Sequence, residues 1–146
     1  GIIYGDYMTS YSVMAVKKDG TIYTPAQGLM GKNLLAAGVK DTYNFGPVLI
    51  KDCEAQLPWA ETEKYYPRTA VGMVKPNDYV LLVTDTGSYN GLNHWDMVNI
   101  FKSYGCTYAY NLDGGGSATL YFNGKVMNKL IGNTQRPCAD FLYFTR

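Results

Sequence analysis

Seven residues in the last third of the chain combine a carboxylate, an amide, a hydroxyl and three glycines: Asn111-Leu112-Asp113-Gly114-Gly115-Gly116-Ser117. Three consecutive glycines weaken any regular element, so a fold keeps them mainly where backbone must approach something closely. Successive N–H groups in such a run can form a nest for an anion, either a phosphate or a developing oxyanion. Asn111 and Asp113 are two apart, so on a strand they point to one side, and an amide and a carboxylate then converge beside the nest. The same residues also read as a plain glycine turn with a surface aspartate.

Other candidates lie far away in sequence. Arg68 opens the segment Arg68-Thr69-Ala70-Val71-Gly72, and Arg136 precedes the last apolar stretch. A guanidinium grips a phosphate through two parallel bonds, with a geometry lysine cannot copy; a solvated surface arginine is the plainer alternative for each. Asp85 ends the apolar run Val80-Leu81-Leu82-Val83-Thr84 and leads into Thr86-Gly87-Ser88. A carboxylate at a strand end suits a site, and equally suits an Asx turn. Asp85, Asn111 and Asp113 are also hard oxygen ligands of the kind Ca2+ or Mg2+ prefers, although nothing in the sequence requires a cofactor. His94 is the sole histidine and has no partner motif, which favours a capping or surface role. The chain has no HExxH, GxSxG, P-loop or GxGxxG pattern.

Elements that would position these residues follow from pattern. Ser12 to Val16 alternates, and Asp19-Gly20 joins it to Thr21-Ile22-Tyr23 as a hairpin. Residues 33 to 39 read as a short helix, and Pro47 to Lys51 as a strand. Residues 52 to 67, with two prolines and a charge cluster, read as a loop. Thr69 to Val74 and Tyr79 to Thr84 form a second hairpin, whose continuous apolar second arm predicts a central strand covered on both faces. Leu92 to Tyr104 carries apolar residues at helical spacing and ends at Gly105. Tyr108 to Leu112 is a strand. Ala118 to Phe122 and Lys125 to Asn128 form a third hairpin around Asn123-Gly124, and Ala139 to Phe144 closes the chain as a strand. The sum is an α+β fold with a mixed, largely antiparallel β-sheet and flanking helices.

Composition sets the remaining bounds. At 146 residues, 47% hydrophobic and 17% charged, the chain is a single folded domain by expectation. A net charge of +1 without a basic stripe argues against nucleic acid or an anionic membrane surface as partner. No apolar run reaches the ~18 residues needed to span a bilayer. Cys53, Cys106 and Cys138 are an odd number without CxxC spacing, and three buried thiols are expected over one bridge plus a free thiol. Fourteen tyrosines suit strand packing and also sugar contacts.

In chain order, Phe45-Gly46-Pro47-Val48-Leu49, Pro67 through Gly72, Leu81 through Asp85, Gly91-Leu92 and Asn111 through Ser117 resemble the phosphodiester glycosidase family (DUF2233, uncovering-enzyme-like). Arg136 matches the family's late arginine, and the resemblance runs over roughly residues 13 to 145. It implies hydrolysis of a sugar-1-phosphodiester such as an N-acetylglucosamine-1-phosphodiester. The implied catalytic residues are Asp113, Asp85 and Arg68. The implied substrate-binding residues are Asn111, Gly114, Gly115, Gly116, Ser117, Thr69 and Arg136. It further implies an extracellular or cell-envelope setting, an envelope or exopolysaccharide glycan as substrate or partner, and leaves a homo-oligomer open. Two departures stand out: no counterpart of the family's early Asn-containing strand motif precedes Ser12, so residues 1 to 146 read as one domain without that segment, and Cys138-Ala139-Asp140-Phe141 replaces small and apolar residues. A non-catalytic glycan-binding module of a cell-envelope or phage protein is the alternative reading.

Overall fold

The second apolar hairpin and the strand before the glycine run build the centre of the molecule. In the computed structural model, which describes residues 12–57, 64–85 and 90–144, they belong to one five-stranded sheet. The elements in order are β1 (Val13–Lys17), β2 (Ile22–Tyr23), α1 (Gly31–Ala36), β3 (Val39–Asn44), β4 (Val48–Lys51), β5 (Glu54–Ala55), β6 (Thr69–Lys75), β7 (Asp78–Val83), α2 (His94–Ser103), β8 (Tyr108–Leu112), β9 (Tyr121–Phe122) and β10 (Lys125–Val126). Short 3-10 turns cover Gly115–Ser117 and Ile131–Asn133. The large sheet has the order β5-β4-β8-β6-β7, a second sheet has the order β2-β1-β3, and β9 pairs with β10; all these pairs are antiparallel. The result is an α+β fold of antiparallel sheets with two α-helices among the described residues. Thr86-Gly87-Ser88 and part of the loop expected over 52 to 67 lie outside the described residues.

Side-chain alternation divides the large sheet into two packed faces. Ala70 and Ala109 face α2, where Leu49, Ile50, Met97, Val98, Phe101 and Cys106 complete one core cluster. Val71, Met73, Tyr108 and Tyr110 face the small sheet and meet Met14 and Ile22. Burial drives α2 onto its face through Met97, Val98 and Phe101, spaced three and four apart. Asn93 caps that helix, its side chain accepting from the Asp96 amide at 2.8 Å. Tyr110 joins the layers: its hydroxyl donates to the Ser12 carbonyl at 2.5 Å and accepts the Phe45 amide at 2.9 Å. Burial pushes the Tyr108 and Tyr110 hydroxyls above the usual phenol range.

Several expectations are corrected. The Val80 to Thr84 run is not central: among the described residues β7 is the sheet's edge, paired only with β6, and Leu81 is 45% exposed. An apolar run reports how much greasy surface a strand carries, not how many strands adjoin it. The central strand is β8, buried from Tyr108 to Asn111. Residues 139 to 144 form no strand; Leu142 packs inward while Phe141 and Tyr143 stay exposed, so the alternation is real but no strand among the described residues pairs with it. The helix expected over 33 to 39 starts at Gly31 and stops at Ala36, because Val39 begins β3, a mostly exposed strand whose polar residues hid it. The third hairpin pairs only Tyr121–Phe122 with Lys125–Val126. Cys106 alone of the three thiols is buried; Cys53 and Cys138 are exposed, and all three are free. His94 is neither cap nor surface residue, since it is buried in the first turn of α2.

Replacing Tyr110 by Phe removes one hydroxyl bonded to the backbone of Ser12, Phe45 and, more weakly, Tyr43. The expected cost is about 1–3 kcal/mol of unfolding free energy, measured by urea denaturation with an unchanged m-value.

Candidate active site

Strand register brings distant segments together. Thr69 lies opposite Val83 on one side and Leu112 on the other, so the start of β6 sits between the ends of β7 and β8. Arg68, Asp85 and Asp113 lie just beyond those three points and therefore share one rim of the sheet. Backbone bonds fix the rim. The Arg68 amide donates to Thr84 Oγ1, and the Thr84 amide donates to the Arg68 carbonyl, both at 2.9 Å. The Gly115 amide donates to the Pro67 carbonyl at 2.8 Å.

That last bond explains two of the glycines. A Cβ on Gly114 would sit 2.4 Å from the Pro67 carbonyl oxygen, and Gly115 has a φ of +56°. The first position excludes a side chain by contact, and the second disfavours one by backbone conformation. The run is thus a tight 3-10 turn rather than an open nest. Gly115 and Ser117 give their amides to the Pro67 and Gly114 carbonyls, leaving at most those of Gly114 and Gly116 for a ligand. The three-glycine nest expected from sequence is therefore closed at its middle residue, whose amide is taken by the Pro67 carbonyl.

A polar cluster stands on the turn. Ser117 Oγ donates to Asp113 Oδ2 at 2.7 Å, and Arg136 Nε donates to Ser117 Oγ at 2.9 Å. Arg136 Nη2 also reaches Asp113 Oδ2, forming an ion pair, and Ser117 Oγ. The Arg136 stem crosses Gly116, where a Cβ would lie 3.5 Å from Cδ. The two charged side chains are 51% and 48% exposed. An ion pair that open to water contributes ~0–1 kcal/mol, so it orients the groups more than it stabilises the fold. The bonds to Asp113 all fall on its Oδ2.

The other sequence candidates are placed differently. Arg68 reaches the bend through its backbone, while its Nε and Nη2 donate to the Leu92 and Lys64 carbonyls at 3.1 and 3.0 Å. Its guanidinium also lies 5.2 Å from the centre of the Tyr66 ring. Asp85 Oδ2 accepts the Lys129 amide at 3.0 Å. Thr69 Oγ1 is buried and has no hydrogen-bond partner among the described residues. Asn111 is 1% exposed and donates from Nδ2 to the Gly46 carbonyl at 2.7 Å. Its side therefore differs from that of exposed Asp113, contrary to the two-residue spacing rule. The strand ends at Leu112, and alternation does not carry through the bend. Asp85, Asn111 and Asp113 do not fit as a set of metal ligands for this reason. Among the described residues no three His, Cys, Asp or Glu side chains are placed to hold one ion.

One participant escaped sequence reasoning. Asn128, read there as the end of a hairpin strand, donates from Nδ2 to the Ala118 carbonyl at 2.8 Å and accepts the Leu120 amide at 2.7 Å. Its only signal was that Asn commonly bonds nearby backbone outside regular elements.

Comparison with known proteins adds to this geometry. Residues 2–145 match the phosphodiester glycosidase family. The chain is 30% identical, over 97% of its length, to the SPbeta prophage-derived protein YomE of Bacillus subtilis, of which it spans 24%. Over 39% of its length it is 41% identical to the N-acetylglucosamine-1-phosphodiester alpha-N-acetylglucosaminidase of Mus musculus and 43% identical to that of Bos taurus, spanning 11% of each. In structure it resembles the catalytic domain of the zebrafish N-acetylglucosamine-1-phosphodiester alpha-N-acetylglucosaminidase, with a TM-score of 0.66 and 23% identity, covering 82% of this chain and 45% of that one. A hypothetical protein from Synechocystis has a TM-score of 0.50 at 17% identity, covering 85% and 32% of the two chains. At those identities the likeness is one of fold.

The glycines differ in what they tolerate. Gly114→Ala must displace either the bend or the Pro67 carbonyl, with an expected loss of about 1–3 kcal/mol and faster hydrogen exchange at the Gly115 amide. Gly116→Ala meets only the Arg136 stem and should cost under ~1 kcal/mol. Urea denaturation of the two variants side by side checks the contrast.

Proposed function

The chain belongs to the phosphodiester glycosidase family, and on that premise we propose that it hydrolyses a sugar-1-phosphodiester, releasing the sugar from the phosphate. The observation that carries this reading is the Asp113–Ser117–Arg136 cluster, seated on a glycine turn at the sheet rim. The names of its mammalian relatives point to an N-acetylglucosamine-1-phosphodiester as the substrate class. An envelope or exopolysaccharide glycan outside the cytoplasm is the natural source proposed for it.

The chemistry requires two things at neighbouring places. The phosphate monoester that departs from the anomeric carbon is already a good leaving group, so its oxygens need a counter-charge more than a proton. Arg136 supplies that charge, with the Gly114 and Gly116 amides as further donors. The anomeric carbon needs a base or nucleophile. Asp113 supplies it through Oδ1, held beside the phosphate because it shares Arg136. Asp85 is the second carboxylate, on the far side of β6. Strands two places apart in a sheet are about 10 Å apart between axes, which leaves room for a sugar ring or a water between the two acids. Arg68 acts from the rim between them, and Thr69 with Asn111 supports it from the strands behind.

A glycan-binding module without turnover is the competing reading. The strongly exposed rings of Tyr121, Phe122 and Tyr143 favour it, since exposed aromatic rings are a common sugar-stacking surface.

The two separate cleanly. The methyl phosphodiester of N-acetylglucosamine 1-phosphate, incubated with the protein, should release N-acetylglucosamine. Asp113→Asn should slow release by about 10²- to 10⁴-fold while the melting temperature stays within a few degrees. Wild-type turnover in that variant removes Asp113 from the reaction. Saturable binding with no release by the wild-type protein selects the binding module.

A further inference from the structure

We infer that Asn128 is a positioning residue for the reaction, acting through Asp85: the segment 127–129 straps the exit of the glycine turn to the second carboxylate. This rests on the function proposed above. The strap consists of four bonds. Asn128 Nδ2 donates to the Ala118 carbonyl, Asn128 Oδ1 accepts the Leu120 amide, the Met127 amide donates to the Leu120 carbonyl at 2.8 Å, and the Lys129 amide donates to Asp85 Oδ2. Ala118 follows Ser117 directly and is buried, so the strap begins one residue from the hydroxyl that holds Asp113 and Arg136. It ends where the Lys129 amide meets Asp85, 44 residues earlier in the chain and just past the end of β7.

Asparagine suits this place for a chemical reason. The Ala118 carbonyl and the Leu120 amide present an acceptor and a donor two residues apart, as one strand presents to another. A carboxamide offers the complementary donor and acceptor on one short side chain. Aspartate could accept from Leu120 but could not donate to Ala118, and a leucine of similar shape could do neither. Packing does not replace these bonds. The β9–β10 hairpin that leads into the strap has two residue pairs, and Tyr121 and Phe122 are each 67% exposed. Without the Asn128 bonds only the Met127–Leu120 bond and the two hairpin pairs hold this exposed segment, so the Lys129 amide is no longer fixed against Asp85, which loses one of the bonds that orient it. Misplacing a catalytic group by about 1 Å can cost up to ~10²-fold in rate.

The test uses the whole chain and the methyl phosphodiester of N-acetylglucosamine 1-phosphate. Asn128→Ala should lower kcat between about 10- and 100-fold with KM within about twofold, because substrate contacts remain while the carboxylate is misaligned. Added to Asp85→Asn, the same substitution should cost nothing further on the residual turnover, since its effect passes through the missing carboxylate. Losses that multiply in the double variant, or a wild-type kcat in Asn128→Ala, overturn the inference. Amide hydrogen exchange decides the strap even if the wild-type protein releases no sugar, the result that would instead remove the proposed function. Asn128→Ala should then speed exchange at Leu120 and Lys129 at least about tenfold while the β8 amides keep their protection. Unchanged exchange at Lys129 overturns the strap.

Discussion

The bond from the Gly115 amide to the Pro67 carbonyl is the contact on which the candidate site depends. It draws the backbone after β8 against the backbone before β6, closer than any side chain at residue 114 would allow. Because β6 is also registered to β7, the same contact places Asp113, Arg68 and Asp85 along one rim. The turn then directs Ser117 back at Asp113 and leaves Gly116 bare for the stem of Arg136. A glycine run is therefore a requirement of close approach here, more than a source of free amides.

Stability and chemistry are kept in different parts of the molecule. The two faces of the large sheet are sealed by α2 on one side and the small sheet on the other, with Phe101, Tyr110, Leu49 and Met14 fully covered. Burial of that kind dominates folding free energy. The cluster at the rim is held by exposed polar bonds of small individual worth. It can therefore exchange partners at little cost to the fold. Asn111 stands at the boundary: it occupies the central strand, is fully buried, and ties the Gly46 carbonyl to the sheet just before the chain turns outward to Asp113.

Much of this was legible in the residues. The Asn111–Ser117 run, the Asp19-Gly20 turn, the hairpin across Lys75 to Asp78 and the helix over most of 92 to 104 each carry a local reason, such as a turn residue, a cap or a burial period. What was misread shares one cause. The apolar Val80 to Thr84 arm reads as central and is an edge, and residues 139 to 144 alternate yet pair with no strand among the described residues. Periodicity records which side chains want burial; it contains no term for which strand lies alongside. β3 escaped for the converse reason, since it is a mostly exposed strand with Val39 alone buried.

The sequence alone determined the chemical groups on offer, their family resemblance and the local turns, because those depend on residue type and on neighbours a few positions away. Tertiary structure alone decided that Arg136 and not the Arg68 guanidinium bonds to Asp113, that Asn111 faces inward, and that Asn128 reaches the turn. Each of these pairings joins segments through strand register and chain reversal. They arise only when the whole set of non-local contacts forms at once.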